Sequence, residues 1–546
     1  MKRHQKFYWL LLCIATALPL LAGIVFPMIT DEAYYIDWAR RSGWPRLGFF
    51  DHPPMVSWLA GLTIFDHSII AARFMVWIAH LVSLYFVWKT TRILNPDRAF
   101  FATLLIASTI GAVGSGFILT PDAGMLALWS VAIHESVLAI KGQHKRWLTA
   151  GLVTGLGLWS KYTMVLIGPV FLWGMLRDHR KQLCTPWPYL GGLVCALVFT
   201  PHVWWQSQND WVTFRFQFGH GFSITQNIES KSLLPLAQDP QPDDFDSRRL
   251  QDELFKAMGH VPGFSETIKP PKPDKPQWER AIQYLGDFLG GVAGLWGIYA
   301  IAFLLYLLLG RPRLHRTKQP SAGRPAGMGI IEAGAFFPLI FFGLISPFSK
   351  IEANWPAMHM TALAIWISYR WVCPLRLTVA AVTTHSLAVL ALFFVIKNPE
   401  QFSGARNNRI LLESKGFKEL GQWATSEFFH NAIAVDSYQL KSALSYHAPT
   451  LKIAQWPGLT RGSEYTRGDD DDTAIEKLLF NQESISIITL KPKPKVIDGF
   501  TPESFRGIRI CPDGKLGVFN VTTPTLPCQE GLRELWVTTY RNQNPR

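Results

Sequence analysis

The chain has 546 residues, 49% of them hydrophobic and only 17% charged, whereas a soluble chain of this length would carry about a quarter charged residues over two to four domains. The shortfall comes from repeated uncharged stretches of bilayer length, far more than a soluble core needs. The formal net charge of +13 does not mark a nucleic-acid binder, because the cations fall in short clusters between apolar runs rather than along one face.

Residues 7–28 form an apolar run behind the basic start Lys2, Arg3 and Lys6. The run is too long for a signal-peptide core, and Phe26-Pro27-Met28 offers no small-x-small cleavage site, so it is expected as a retained first span. Further spans are predicted at 67–88, 99–118, 123–140, 148–160, 163–176, 186–205, 284–309, 330–348, 357–371 and 377–396, about eleven in all. With Met1 in the cytoplasm, Lys89/Arg92/Arg98, Lys141/Lys145/Arg146, Arg177/Arg180/Lys181, Arg311/Arg313/Arg316/Lys318 and Arg370/Arg376 all fall on the cytoplasmic side, as the positive-inside rule requires. The predicted organisation is a transmembrane domain over 1–396, with outer loops at 29–66 and 206–283, and an extracytoplasmic α/β domain over 397–546.

The first outer loop reads Thr30-Asp31-Glu32-Ala33-Tyr34-Tyr35-Ile36-Asp37-Trp38. Thr30 suits an N-cap, with Asp31 and Glu32 in the first turn, where the helix dipole favours anions. Tyr34, Tyr35 and Trp38 then form an aromatic stripe expected to lie at the membrane interface. Farther on, Pro53 and Pro54 fix an extended turn that holds Asp51 and His52 rigidly, a plausible acid/base or metal-binding pair.

Asp122, Lys161, and the group Lys350, Glu352, Asn354 and His359 fall at predicted outer ends of spans, the same side as Asp31 and Asp51. A charge inside a span costs about 2.5–3.5 kcal/mol on insertion scales, so such residues are paired or functional unless they snorkel to the interface. Residues 221–280 are polar and Pro-rich, the pattern of a mobile inserted loop.

In the tail, β-branched runs at 432–435, 450–454, 484–489 and 515–521 alternate with helical stretches at 416–429 and 438–446, the pattern of a small α/β domain. Asp469 to Asp472 lack EF-hand spacing and read as a solvated acidic loop rather than a calcium site. Cys511 and Cys528 lie in the part expected outside the cytoplasm and are predicted to form a disulfide, two buried thiols being the alternative. Asn520-Val521-Thr522 fits a glycosylation sequon.

The ordered segments "DEAYYIDWAR…GFFDHPPMVSWL", "TPDAGMLALW", "GLGLWSKYTMVL", "FRFQFGHGF", "KIEANWPAMH" and "SYQLKSALSYH" together resemble bacterial members of glycosyltransferase family 39. These are transferases dependent on a polyprenyl- or dolichyl-phosphate sugar, with the GT-C fold, and include protein O-mannosyltransferases and aminoarabinose transferases of lipid A. The resemblance covers roughly residues 7–450, apart from the insertion at 221–280. It implies an inverting transfer to an extracytoplasmic acceptor: lipid A or lipopolysaccharide, another envelope glycan, or a protein. It also implies that Asp31 is the catalytic carboxylate, with Glu32 beside it, and that Asp51 lies near the donor phosphate and can ligate a divalent ion. By the same analogy His359 would be the second ligand. His52 stands where the aminoarabinose branch commonly has Lys.

On this reading Asp31 activates or positions the acceptor. Lys161 and Lys350, with an ion at Asp51, neutralise the leaving phosphate, and Asp122 orients a cation. Tyr34, Tyr35, His52 and Asn354 are further substrate-binding candidates, and Tyr438 and Gln439 in the tail cover the acceptor side. The expected partners are the bilayer, the lipid-linked donor and the acceptor, with no nucleic acid. A transporter or flippase of lipid-linked saccharides is the non-enzymatic alternative. It would place ionisable groups near the bilayer midplane on broken helices in two similar halves. A ligase of whole glycans on the same fold is the enzymatic alternative.

Overall fold

The computed structural model describes residues 5–62, 68–221, 230–239, 276–309, 324–370, 375–401, 409–429, 431–492, 495–520, 525–529 and 531–543. Its contacts divide the chain into two units. One comprises Met1–Val25, Pro45–Gln226 and Lys275–Ala391; the other comprises Phe26–Trp44, Asn227–Asp274 and Leu392–Arg546.

The first unit is helical, and a helix or helix pair falls on each of the eleven apolar runs. Among the described residues five helices are long and apolar enough to cross a membrane, Lys6–Val25, Ile69–Leu94, Pro121–Ile140, Met328–Ile345 and Leu375–Lys397, and a bent helix pair makes a sixth if it counts as one span. The chain is a multi-pass membrane protein.

Two runs predicted as single spans are broken. The run at 99–118 is two helices, Ala99–Ala107 and Ile110–Ser115, because the Thr109 side chain accepts from the Ala112 amide and starts a new helix. The run at 284–309 is Gln277–Trp296 and Ile298–Leu309, meeting at a bend of 109°. The hinge is Gly297, at φ 57° and ψ −129°, a conformation that side-chain-bearing residues rarely adopt. The bend frees the Ile298 amide, which donates to His385 Nε2 at 3.3 Å. Helices Arg146–Leu158 and Trp187–Ser207 approach closely: a Cβ on Gly151 would lie 1.9 Å from the Gly191 carbonyl oxygen, and one on Gly191 would lie 2.3 Å from that of Trp147.

The second unit is built on a mixed six-stranded sheet of order β2-β1-β3-β6-β4-β5. The strands are β1 Ile433–Val435, β2 Ile453–Gln455, β3 Ser484–Thr489, β4 Phe500–Ile510, β5 Leu516–Asn520 and β6 Arg533–Asn542. β1 is parallel to β2 and β3, and the remaining pairs are antiparallel. Alternation sorts the strand side chains onto two faces. Ile433, Val435, Ile488, Leu535 and Val537 pack with Phe417, Leu420, Leu440 and Leu444 of helices Phe417–Glu427 and Tyr438–His447. Ala434, Ile485, Ile487 and Tyr540 pack on the other face with Leu479 of helix Asp470–Phe480 and with Leu234 and Ala237. β4 and β6 escape a reading by pattern because both are rich in polar residues, and β4 also carries Pro502 at a register shift.

Three expectations change here. Residues 230–239 of the inserted loop are not mobile but strap the sheet: Trp456 donates to the Pro235 carbonyl, and Glu476 takes the Ser232 hydroxyl and the Leu233 amide. The rest of the insertion, residues 222–229 and 240–275, lies outside the described residues. The Asp469–Asp472 run is not a solvated loop: Asp469 caps helix Asp470–Phe480, and Asp472 is buried. Thr30 is the first helical residue rather than the cap, a role taken by Ile29, whose amide donates to Glu32 at 3.1 Å.

The disulfide Cys511–Cys528 is present. The Val521-Thr522 part of the sequon falls outside the described residues.

Candidate functional site

Two polar clusters hold most of the residues singled out from sequence, one in each unit.

In the unit with the sheet, helix Thr30–Arg40 packs along helix Tyr438–His447. The aromatic stripe is turned into protein rather than along a membrane surface, with Tyr34 2% and Trp38 0% exposed. Burying each such side chain removes roughly 200 Å² from water, on the order of 5 kcal/mol as an upper bound. Tyr34 contacts the rings of Tyr35, Trp38, Tyr438 and Tyr465, and its hydroxyl accepts from the Glu464 amide at 2.8 Å. Asp31 stays half-exposed, and its Oδ1 accepts from the Tyr438 hydroxyl at 3.1 Å. Glu32 is fully buried at the helix start, so its carboxylate serves the Ile29 amide. Gln439 is half-buried beside Tyr438, and its backbone carbonyl accepts from the Ser442 hydroxyl at 3.2 Å.

At the other end of the same helix, Arg41 donates to both oxygens of Asp472, at 2.8 and 3.1 Å, and lies 3.5 Å from Asp37. Lys441 Nζ also binds Asp472 Oδ1. Burial alone would raise the Asp472 carboxyl, but Arg41 and Lys441 outweigh it and hold the group below its ordinary value. Burial would likewise lower the Arg41 guanidinium, and the Asp472 and Asp37 carboxylates drive it up instead.

In the helical unit, Asp122 sits in the first turn of helix Pro121–Ile140. Its Oδ1 is 2.8 Å from Lys161 Nζ and its Oδ2 accepts from Asn354 at 2.7 Å. Lys161 lies in the extended break between helix Arg146–Leu158 and the 3-10 turn Tyr162–Leu166, which points a long cation back at the helix start. Both charges are more than nine-tenths buried.

Asp51 is buried and His52 half-buried, in a loop whose backbone is pinned from outside. His202 donates to the Leu47 carbonyl at 2.6 Å, Thr213 to that of Phe49 at 2.5 Å, and Gln217 to that of Asp51. Gln217 also lies 3.1 Å from His52 Nδ1. Gly48 is obligatory because a Cβ there would come within 2.3 Å of the Trp205 ring. These pinning residues were not picked out as functional candidates; the signal was the FRFQFGHGF segment, which contains Gln217.

Two expected site residues stand apart from this cluster. Lys350 is exposed and 3.5 Å from Glu352, a surface pair. His359 is buried with both ring nitrogens engaged: Trp296 Nε1 donates to Nε2 at 2.9 Å, and Nδ1 donates to the Pro356 carbonyl at 2.6 Å. No nitrogen is left for an ion, so His359 as second ligand beside Asp51 does not fit. Among the described residues no three His, Cys, Asp or Glu side chains are grouped to hold a metal.

Residues 51–205 match the model of the family described as dolichyl-phosphate-mannose-protein mannosyltransferase. The chain is 25% identical over 194 residues to the lipid A galacturonosyltransferase RgtD of Rhizobium johnstonii. That alignment takes in 34% of this chain and 40% of RgtD, so the chain spans less than half of that relative's length. Among solved structures, ArnT from Cupriavidus metallidurans bound to undecaprenyl phosphate is similar over 98% of both chains, at 11% identity and a TM-score of 0.45. The apo oligosaccharyltransferase of Archaeoglobus fulgidus is similar over 94% of this chain and 74% of its own, at 12% identity and a TM-score of 0.42.

Proposed function

We propose that the chain is a membrane glycosyltransferase of GT-C architecture with about eleven spans, moving a sugar from a polyprenyl-phosphate donor to an acceptor on the periplasmic side of the inner membrane. The observation that carries the reading is the family match over residues 51–205, the segment that holds the Asp51-His52 loop and the buried Asp122–Lys161 pair. The name of the relative RgtD points to a lipid A-type glycolipid as acceptor and a uronic acid as one sugar to test.

In the reaction, a bond forms between the acceptor oxygen and the anomeric carbon on the face opposite the phosphate. The bond from that carbon to the phosphate oxygen breaks, and polyprenyl phosphate leaves. Asp31 takes or orients the acceptor proton, with Tyr438 fixing one of its oxygens. Lys161, oriented by Asp122, serves as the cation for the departing phosphate, and Asn354 orients Asp122 in turn. Tyr34, Tyr35 and Gln439 shape the acceptor side, and His52, held by Gln217, lines the donor side. Glu32 acts through the helix start rather than on substrate. No step is assigned to a metal ion.

The test is transfer by purified protein in liposomes, using radiolabelled polyprenyl-phosphate monosaccharides, galacturonic acid among them, and lipid A as acceptor. Labelled glycolipid formed by wild type and not by Asp31→Asn is the expected result. Translocation of the intact donor without transfer would instead establish the transporter reading.

A further inference from the structure

We propose that Arg41, Lys441 and Asp472 are positioning residues for the transfer: together they fix the Asp31-bearing helix on helix Tyr438–His447 and so set the Tyr438–Asp31 hydrogen bond. The inference rests on the transferase reading and gives the sheet unit a part in the chemistry.

Helix Thr30–Arg40 has only 11 residues, and a contact at one end would leave it able to roll or slide. It is held at both. At its start, Ser442 Oγ donates to the Thr30 carbonyl at 3.2 Å and Tyr438 to Asp31 at 3.1 Å. At its finish, Arg41 grips Asp472 with two hydrogen bonds, and the Ser42 amide and hydroxyl bind Asp471 at 3.1 and 2.9 Å. Lys441 closes the arrangement from the partner helix, one turn beyond Tyr438, by binding the same carboxylate. The clamp thus ties the C-terminal end of one helix to the very turn of the other that carries the Asp31 partner.

The groups around it are specific. Asp37 and Asp469 lie 3.5 and 3.6 Å from the Arg41 guanidinium, and the Tyr465 ring lies under both cations, 4.7 Å from Arg41 and 4.0 Å from Lys441. Tyr465 in turn packs on Tyr34 at 5.2 Å. Arg41, Lys441 and Asp472 are 7%, 3% and 1% exposed, so their geometry is fixed by packing and not averaged by solvent. A bidentate guanidinium–carboxylate pair defines orientation as well as distance, which is what alignment of a catalytic carboxylate demands.

The variants are Tyr438→Phe, Lys441→Met, and the paired exchange Lys441→Met with Asp472→Leu, which removes the buried pair while Arg41 keeps Asp37 and Asp469 beside it. Each is assayed as full-length protein in liposomes for kcat, donor KM, melting temperature and hydrogen exchange along 30–41. The clamp variants are expected to lower kcat by up to about tenfold, no more than Tyr438→Phe does, with KM nearly unchanged and to speed exchange in helix Thr30–Arg40 while the sheet stays protected. Combined with Tyr438→Phe they should add little, because both act through one hydrogen bond. Unchanged kcat per folded molecule, or losses that multiply with Tyr438→Phe, would overturn the proposal. If wild type transfers no sugar, the transferase reading fails, and the exchange arm still decides whether the clamp holds the helix.

Discussion

The hydroxyl of Tyr438 donates to Oδ1 of Asp31 at 3.1 Å, joining residues 407 positions apart in the chain. The carboxylate assigned to acceptor activation therefore has a partner supplied by the C-terminal third of the protein.

Replacing Asp31 by Asn keeps the side-chain shape and an oxygen for Tyr438 but removes the charge. Transfer is expected to fall roughly 100- to 10,000-fold, with melting temperature unchanged because the carboxylate is half-exposed. Tyr438→Phe should cost about tenfold, the loss of one hydrogen bond to a charged group. Initial rates against donor concentration check both, and an active Asp31→Asn enzyme would remove Asp31 from the chemistry.

The Asp122–Lys161 pair behaves as one unit in a dry setting. Asp122→Ala or Lys161→Met alone strands a buried charge and is expected to cost about 3–5 kcal/mol, whereas Asp122→Leu with Lys161→Met should cost much less than the sum. Thermal unfolding in detergent of the two single variants and the double gives the coupling. Additive losses would show that the pair is not coupled.

Stability in the sheet unit should depend on acid through Asp472. Its folded carboxyl is held below the ordinary 3.8, so its contribution is complete above about pH 4 and is lost as pH falls through the lower folded value. Asp436 and Glu476 run the other way: burial raises both, so they favour the fold at low pH and withdraw that support as pH rises through their folded values. Comparing wild type with Lys441→Met between pH 3 and 7 separates the effects. The gap in melting temperature should narrow below about pH 4, and a constant gap would exclude Asp472 as its source.

The Cys511–Cys528 bridge closes a separation of 17 residues, and its loss is expected to destabilise the sheet unit by about 3 kcal/mol. Arg509 reads the same turn through the Cys528 and Gln529 carbonyls. Non-reducing mass spectrometry of the full chain shows the bridge, and urea unfolding of the Cys511→Ser/Cys528→Ser protein measures it.

Much of the architecture was legible before any coordinates, because its causes are local. Apolar runs of bilayer length became helices, and strand and helix patterns at 433–435, 484–489, 417–427 and 438–447 appeared within a few residues of expectation. The Asp122–Lys161 contact was anticipated in kind, as a cation with an orienting carboxylate, since a buried charge needs a partner. The role of His359 was misread because whether an imidazole ligates an ion depends on what reaches its nitrogens, and Trp296 lies 63 residues away.

The order of residues by itself determined which segments seek lipid, which form strands, and where charge had to be matched, since hydrophobic period and burial cost act over one turn or one strand. Only the folded chain decided which charge meets which. Asp472 looked like solvated acid until Arg41, 431 positions earlier, closed on it, and Gly297 looked like one more small residue in a span until the chain turned by 109° there. Such pairings follow from how distant elements pack, and pattern along a chain carries no term for distance through space.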